Sequence, residues 1–214
     1  MSTAAIILAN ESTPKGFSED KGAMFLCNKP LIKHLFGTVS NIVDEVIIVV
    51  NTQERIDKYA EFLPKTTRFI IDKQQTQNPL SGAIAGFETF QDGYALLLPY
   101  DSPFVNKELV MLLLDLAVGK AAVVPRNADN EIEPLCAVYQ TSLVLETAKQ
   151  VAAEGVTDLQ TFVEKLRGVR YVSKMLVEQL DPELCSFFSV STPLDFKRAT
   201  VMLEGKNKVQ KSKR

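Results

Sequence analysis

The stretch AAIILANESTPKGFSEDKG, residues Ala4 to Gly22, decides the fold. Its first five residues are apolar at consecutive positions, which is typical of a strand buried on both faces of a sheet. A long polar loop follows, and a segment with helical periodicity begins near Pro30. A buried strand that leads through a loop into a helix is the repeating unit of α/β proteins, so we expect more such units along the chain.

Four further apolar runs repeat this unit, at residues 46–50, 68–71, 94–98 and 121–124. Segments with helical periodicity lie between the runs, at residues 31–42, 54–62, 80–90 and 107–118. The alternation predicts a three-layer α/β/α fold, in which right-handed crossovers join a Rossmann-like, doubly wound and mainly parallel sheet.

The second half of the chain is predicted to continue the same domain. Helices are expected at about residues 141–153 and 159–166, a strand at 169–172 and a last helix from Pro193. No linker rich in glycine or serine divides the 214 residues, a length that suits one domain. We therefore predict a single domain over residues 1–205, followed by a basic, flexible tail at residues 206–214.

The composition argues against several classes of protein. Twenty-four basic and twenty-six acidic residues give a formal net charge of -2, which offers no electrostatic footprint for nucleic acid or for an anionic membrane. The three cysteines are widely spaced and form no CxxC pair, so neither a disulfide framework nor a zinc site is indicated. The sequence contains no recognisable signal peptide and no apolar run long enough to span a membrane, and we expect a cytoplasmic location.

Chemistry-bearing residues are expected at the carboxyl ends of the strands, where open α/β sheets bind their ligands. Lys15 and Lys21 lie in the loop after the first strand, where they could neutralise phosphate or simply face solvent. Asp72 and Asp101 each follow an apolar run, and each could bind a hard cation such as Mg²⁺ or cap a helix. Neither a P-loop nor a dinucleotide fingerprint occurs, and His34, which has no His or Cys neighbour in sequence, is predicted to be structural.

A series of motifs in one order covers nearly the whole chain. Its members are LAxxxxxKxxxxDKG at 8–22, NKPL at 28–31, Asp72, PLSG at 79–82, PYDSPF at 99–104, PLCAVY at 134–139 and FFSVSTPLDF at 187–196. This series resembles the molybdenum cofactor guanylyltransferase family, also called molybdopterin-guanine dinucleotide biosynthesis protein A. The resemblance implies a nucleotidyltransferase-like domain with the fold of the nucleotide-diphospho-sugar transferases.

The resemblance also implies a reaction, in which GMP is transferred from GTP to molybdopterin with Mg²⁺ and pyrophosphate is released. Lys21 would bind phosphate and Asp101 would hold Mg²⁺, and these two residues would be catalytic. The residues implied to bind the nucleotide are Leu8, Ala9, Asn10, Glu11, Lys15, Lys21, Asp72 and Gly82. Other molybdenum cofactor biosynthesis proteins would be partners. Because Lys21 and Asp101 lie in loops, we expect both to be exposed and their substitution to leave stability nearly unchanged.

The chain departs from the family pattern at the predicted site. Asn10 and Glu11 replace the two glycines of the first loop, and Asn78 replaces another. Ser189 and Ser191 stand where the family has asparagines on its pterin side. Glycine allows positive φ and a close approach of the backbone, so we expect weakened GTP binding that Asn10→Gly with Glu11→Gly restores. Two alternative functions stay open. The chain could be a relative that has lost catalysis and acts as a binding or scaffolding protein, or a related nucleotidyltransferase that uses another base or acceptor.

Overall fold

The computed structural model describes residues 2–11, 17, 19–74, 78–127 and 131–212. The strands are β1 (Thr3–Ala9), β2 (Phe25–Leu26), β3 (Lys29–Pro30), β4 (Glu45–Val50), β5 (Arg68–Ile71), β6 (Tyr94–Pro99), β7 (Ala122–Arg126), β8 (Ala137–Gln140) and β9 (Val169–Ser173). The α-helices are α1 (Leu31–Val39), α2 (Gln53–Ala60), α3 (Pro79–Thr89), α4 (Lys107–Ala117), α5 (Thr141–Ala153), α6 (Leu159–Lys165), α7 (Lys174–Leu180) and α8 (Pro193–Ser212).

Seven of these strands form the central sheet, in the order β5-β4-β1-β6-β8-β7-β9. β1 pairs in parallel with both β4 and β6, and β5 extends the parallel set from β4. β8 is antiparallel to both of its neighbours. The predicted mainly parallel sheet is therefore confirmed, and the carboxyl ends of β1, β4, β5 and β6 share one edge.

Helices cover both faces of the sheet, which confirms the three-layer arrangement. Ile7 of β1 belongs to the core on the side of α1 and α4, together with Leu35 and Leu113. Ile6, the preceding residue, belongs to the core on the opposite side, together with Phe87 of α3. Successive side chains of a strand point to opposite faces, so a strand between two helical layers must be apolar at every position.

A third apolar cluster joins the region after the first loop to the C-terminal helix α8. Leu26 of β2 and Phe104 pack with Ala199 of α8, and Phe17 of the first loop contacts the same cluster. The backbone of α8 remains helical as far as Ser212, so the segment predicted to be a tail continues a helix. The predicted flexibility of that segment stays a prediction.

Among the strands and α-helices, four were not predicted from the sequence. They are helix α7, strand β8 and the two strands β2 and β3, which form a short antiparallel pair. Cys27 and Asn28 connect this pair with φ values of 49° and 67°. Positive φ at both central residues is the requirement of a type I′ hairpin turn, and asparagine adopts it more readily than most residues.

Among the described residues, no helix is long and apolar enough to cross a membrane.

Candidate active site

The segment that follows β6 carries the central carboxylate of the site. The N–H of Tyr100 donates to the carbonyl of Leu8 at 3.0 Å, so the chain stays aligned with β1 beyond the end of β6. The carbonyl of Asp101 accepts from the N–H of Val190 at 3.0 Å. The N-cap of α4 is Asn106, whose side chain accepts from Leu109. Asp101 is therefore not the cap of that helix, and its carboxylate remains available for chemistry.

Lys21 meets this carboxylate across the edge of the sheet. Lys21 begins a turn of 3-10 helix that ends at Ala23, and its Nζ lies 2.6 Å from Asp101 Oδ2. The same Nζ lies 5.0 Å from the centre of the Tyr100 ring. Both side chains are almost fully buried, with residue exposures of 2% for Lys21 and 6% for Asp101. The expectation that both are exposed is wrong, because the segments that carry them pack against each other and withdraw both side chains from solvent.

Arg55 of α2 binds residues at both ends of the first loop. Its Nη1 donates to the carbonyl of Ala9 at 2.6 Å and to that of Glu11 at 2.7 Å. Its Nε lies 2.5 Å from Asp20 Oδ2, just before Lys21. One buried guanidinium therefore sets the positions of the residues that enter and leave the loop.

Tyr59 reinforces this attachment from the next turn of α2. Its hydroxyl donates to Asp20 Oδ1 at 2.8 Å, and burial with the neighbouring carboxylate raises the pKa of Tyr59, so the hydroxyl stays a donor. A Cβ on Gly22 would lie 2.2 Å from this hydroxyl, which explains why glycine follows Lys21. Arg55 and Tyr59 were missed by sequence reasoning, although their i, i+4 spacing on one helix face was visible.

Asn10 lies at the end of β1 and is completely buried. Its Nδ2 donates to Asp72 Oδ2 at 2.8 Å and to the carbonyl of Asn78 at 3.0 Å. Ser81 Oγ donates to the same Asp72 oxygen at 2.6 Å. A Cβ on Gly82 would lie 2.8 Å from both amide heteroatoms of Asn10, so the glycine leaves room for this side chain.

Asn10 and Asn78 do not adopt the positive φ that the glycines of the family pattern would allow. Asn78 has a φ of -149°, which is ordinary extended backbone, and it caps α3 through a capping box with Ser81. Asn10 is absent from the described non-glycine residues that have positive φ. Because Asn78 is the cap, Asp72 is not the N-cap of α3. Its Oδ1 instead accepts from the N–H of Gln74 at 3.0 Å.

These segments enclose a cleft of ≈ 390 Å³ at the carboxyl edge of the sheet. That volume lies within the range of small-molecule sites. The described lining residues are Leu8, Asn10, Glu11, Lys21, Pro79, Pro99, Tyr100, Asp101, Ser102, Glu133, Leu135, Ser186, Phe187, Ser189 and Ser191. Leu8 and Asp101 therefore share one cleft, whereas Asp72, which also follows a strand at this edge, is not among its described lining residues.

Three other residues that were predicted to bind the nucleotide, Ala9, Asp72 and Gly82, are described by the structure but do not line this cleft. Asp72 faces a neighbouring depression with Lys73 and Ser81, and Asn10 connects it to the cleft. Ala9 and Gly82 are not among the described residues that line the cleft. Their contact with a nucleotide stays a prediction, and Lys15 lies outside the described residues.

The cleft carries more acidic than basic side chains in its described lining. Glu11, Asp101 and Glu133 contribute carboxyl groups, and Lys21 contributes an ammonium group. Partial burial and the negative charge of Asp101 raise the pKa of Glu11, although Lys21 and Arg55 oppose the shift. Burial and the neighbouring Glu131 raise the pKa of Glu133. A polyanion would therefore need an additional cation to enter without strong repulsion.

The donor set fits a metal ion that is held partly by its substrate. No group of three or more His, Cys, Asp and Glu side chains that could hold a metal occurs in the described part of the chain. Mg²⁺ typically takes one or two protein carboxylates and completes its coordination with water and substrate phosphate. The buried carboxylate of Asp101 meets that requirement.

His34 takes no part in the cleft. Its Nε2 lies 2.8 Å from the carbonyl of Leu26, and burial lowers its pKa. This placement agrees with the predicted structural role.

Comparisons with known proteins agree with the geometry. A model of the family described as MobA-like NTP transferase domain matches residues 4–169. A protein of Methanosarcina acetivorans named probable molybdenum cofactor guanylyltransferase is 31% identical over 210 residues, which cover 96% of this chain and 93% of that protein.

Solved structures share the fold. Molybdopterin-guanine dinucleotide biosynthesis protein A from Archaeoglobus fulgidus is 24% identical with a TM-score of 0.79, and the match covers 94% of this chain and 99% of that one. The 2-C-methyl-D-erythritol 4-phosphate cytidylyltransferase from Thermus thermophilus is 18% identical with a TM-score of 0.67, over 94% of this chain and 98% of that one.

Proposed function

The chain belongs to the MobA-like NTP transferase domain family, and from that premise we propose that it transfers GMP from GTP to molybdenum-molybdopterin and releases pyrophosphate. The observation that carries the proposal is the buried pair of Lys21 and Asp101 in the cleft at the carboxyl edge. Guanylyl transfer is favoured over a CTP-dependent reaction because the relative named a guanylyltransferase is 31% identical, whereas the cytidylyltransferase is 18% identical.

The chemistry is an in-line displacement at the α-phosphorus of GTP. A phosphate oxygen of molybdopterin forms the new P–O bond, and the bond to the oxygen that bridges the α- and β-phosphates breaks. Because the attacking oxygen is already anionic, the reaction needs no general base. The work of the protein is to position the two phosphates and to neutralise their charge.

Lys21 is the group that neutralises phosphate charge. Its Nζ lies 2.6 Å from Asp101 Oδ2, so the group is already positioned in a part of the site that is shielded from water. A phosphate oxygen that replaces Asp101 beside Nζ would gain a charge-assisted hydrogen bond. The exchange leaves the Asp101 carboxylate free to bind a cation.

We assign Asp101 as the residue that holds Mg²⁺ with the nucleotide. The metal ion would supply charge neutralisation at the phosphates that Lys21 alone cannot provide. Its positive charge also offsets the excess of carboxylates in the cleft, where Glu11 and Glu133 accompany Asp101.

The acceptor is proposed to lie on the side of the cleft that the C-terminal segment forms. Ser189 and Ser191 line this side, where the family pattern has asparagines, and hydroxyl groups can donate to phosphate as the amides would. Transfer of the product to other molybdenum cofactor proteins and a cytoplasmic location stay predictions.

The proposal is tested by following guanylyl transfer from GTP to molybdenum-molybdopterin with purified protein and Mg²⁺. We expect product from GTP, little from CTP and almost none from the Asp101→Asn variant. Asp158→Asn is the control, because Asp158 caps the remote helix α6 and its removal should leave turnover unchanged. Wild-type turnover in Asp101→Asn, or equal use of CTP, would contradict the proposal.

A further inference from the structure

The side-chain amide of Asn10 is satisfied on one side and not on the other. Its Nδ2 donates both hydrogens, to Asp72 Oδ2 at 2.8 Å and to the carbonyl of Asn78 at 3.0 Å. Its Oδ1 is buried and has no hydrogen-bond partner among the described residues. Buried side-chain oxygens nearly always have a partner, so this oxygen calls for an explanation.

The orientation of this amide is fixed by its neighbours. Both partners of Nδ2 are pure acceptors, a carboxylate and a carbonyl, so a flipped amide would place oxygen against oxygen. Packing against Gly82 limits movement further, because even a methyl group there would come within 2.8 Å of the amide. Oδ1 therefore cannot turn to find a donor elsewhere.

Asn10 also lines the cleft that Lys21 and Asp101 share. A group that enters beside Asn10 must bring an N–H or O–H, because Oδ1 only accepts. Phosphate oxygens at neutral pH are acceptors too, and they would be repelled from this position. The triphosphate must therefore lie toward Lys21, and the part of the ligand beside Asn10 must be one that carries donors. In a nucleotide that part is the nucleoside.

We propose that Asn10 determines specificity, with its Oδ1 accepting a hydrogen bond from an N–H or O–H donor of the nucleoside. The inference rests on the proposed function and deepens it by assigning a role to a residue that replaces a glycine of the family pattern. The donor is a guanine N–H or a ribose hydroxyl, and both satisfy the same buried acceptor. On this basis Asn10→Gly weakens GTP binding, which is the reverse of the expectation from the sequence.

The test combines one protein variant with ligands that each lack a single donor. Binding of GTP, ITP, 1-methyl-GTP, 2′-deoxy-GTP and 3′-deoxy-GTP is measured by calorimetry with Mg²⁺ for the wild type and for Asn10→Ala. We expect Asn10→Ala to bind GTP about tenfold more weakly, since the donor of the nucleoside would then be buried without an acceptor, which costs that order of affinity. One analogue should lose a similar factor with the wild type and nothing further with Asn10→Ala.

Ser81→Ala is the matched control. Ser81 Oγ also donates to Asp72 Oδ2, but Ser81 is not among the described residues that line the cleft. Ser81→Ala removes one hydrogen bond to Asp72, as Asn10→Ala does, but it leaves the Asn10 side chain and its Oδ1 in the chain. Discrimination among the five ligands should therefore match the wild type. Should Asn10→Ala fail to fold, Asn10→Ser keeps a small polar side chain at this position but is too short to present an oxygen at the Oδ1 position.

Two results separate failure of this inference from failure of the proposed function. Suppose that the wild type transfers guanylyl groups, but Asn10→Ala binds every ligand as the wild type does or loses affinity for all five ligands by the same factor. The proposed role of Asn10 is then refuted, and the proposed function is not. If the wild type binds none of the nucleotides and transfers no guanylyl group, both are refuted.

Discussion

Removing the negative charge of Glu11 should tighten nucleotide binding. Glu11 replaces a glycine of the family pattern and lines the same cleft as Lys21, and Arg55 holds its carbonyl at 2.7 Å. Two unit charges about 5 Å apart in an effective dielectric of about 20 repel by about 3 kcal/mol. Because Glu11 is only partly withdrawn from solvent, water and salt reduce this repulsion to about 1 kcal/mol. We therefore expect Glu11→Gln to lower the Kd for GTP about fivefold.

Calorimetry with GTP and Mg²⁺ at low and high salt measures this effect, with Glu19→Gln as the control. Glu19 is a glutamate of the same loop that is not among the described lining residues of the cleft, so its removal should change the Kd little. The advantage of Glu11→Gln should shrink at high salt. It should also shrink as the pH falls, because the raised pKa of Glu11 lets this carboxyl become neutral at a higher pH than an ordinary glutamate. Equal binding by Glu11→Gln and the wild type at low salt and neutral pH would refute the reasoning.

Three further predictions concern stability, and urea unfolding measures each. Lys21→Met should lower the free energy of unfolding by about 3 kcal/mol, because it leaves the Asp101 carboxylate buried and unpaired, and Lys21→Met with Asp101→Leu should recover part of the loss but no activity. If Lys21→Met alone were as stable as the wild type, that result would contradict the burial of this pair. Gly82→Ala should destabilise by about 1–3 kcal/mol, since its Cβ would press on the Asn10 amide, and Asn10→Ala in the same chain should relieve the cost; an additive double variant would contradict this. The raised pKa of Glu11 in the folded state means that its contribution to stability is present below the ordinary glutamate pKa and is lost as the pH rises. Glu11→Gln should therefore raise the free energy of unfolding at neutral pH, and this gain should vanish in acid. A gain that persists in acid would contradict the raised pKa.

The sheet could be predicted from the sequence because its central strands are apolar at every position. A run such as residues 4–8 has few alternatives to a strand that is covered on both faces. The parallel arrangement then brings the ends of β1 and β6 to one edge, which is why the meeting of Lys21 and Asp101 was foreseeable. The reversal of β8 and the presence of α7 depend on packing between distant segments, which no local pattern reports.

The site could be predicted only in part, because its details come from tertiary contacts. The role of Arg55 depends on α2 lying beside the first loop. The i, i+4 spacing of Arg55 and Tyr59 places them on one helix face but does not indicate what that face contacts. The replacement of a glycine by Asn10 predicts weakened GTP binding when only the local rule for positive φ is applied. The structure instead gives Asn10 two partners that lie between β5 and α3, Asp72 and Asn78, and Gly82 supplies the space that Asn10 fills.

The third apolar cluster has a consequence for the order in which the cleft is made. Leu26 and Phe104 pack against Ala199, and the N–H of Val190 closes onto the carbonyl of Asp101, so contacts span most of the chain. During synthesis β1, β4 and β6 can pair long before these last partners leave the ribosome, and contacts so far apart in sequence form slowly. The nascent chain can therefore bury its sheet early. The side of the cleft beside Asp101 forms only when residues 186–199 have packed against the rest of the domain. Early release from the ribosome would leave a folded sheet whose cleft lies open to water.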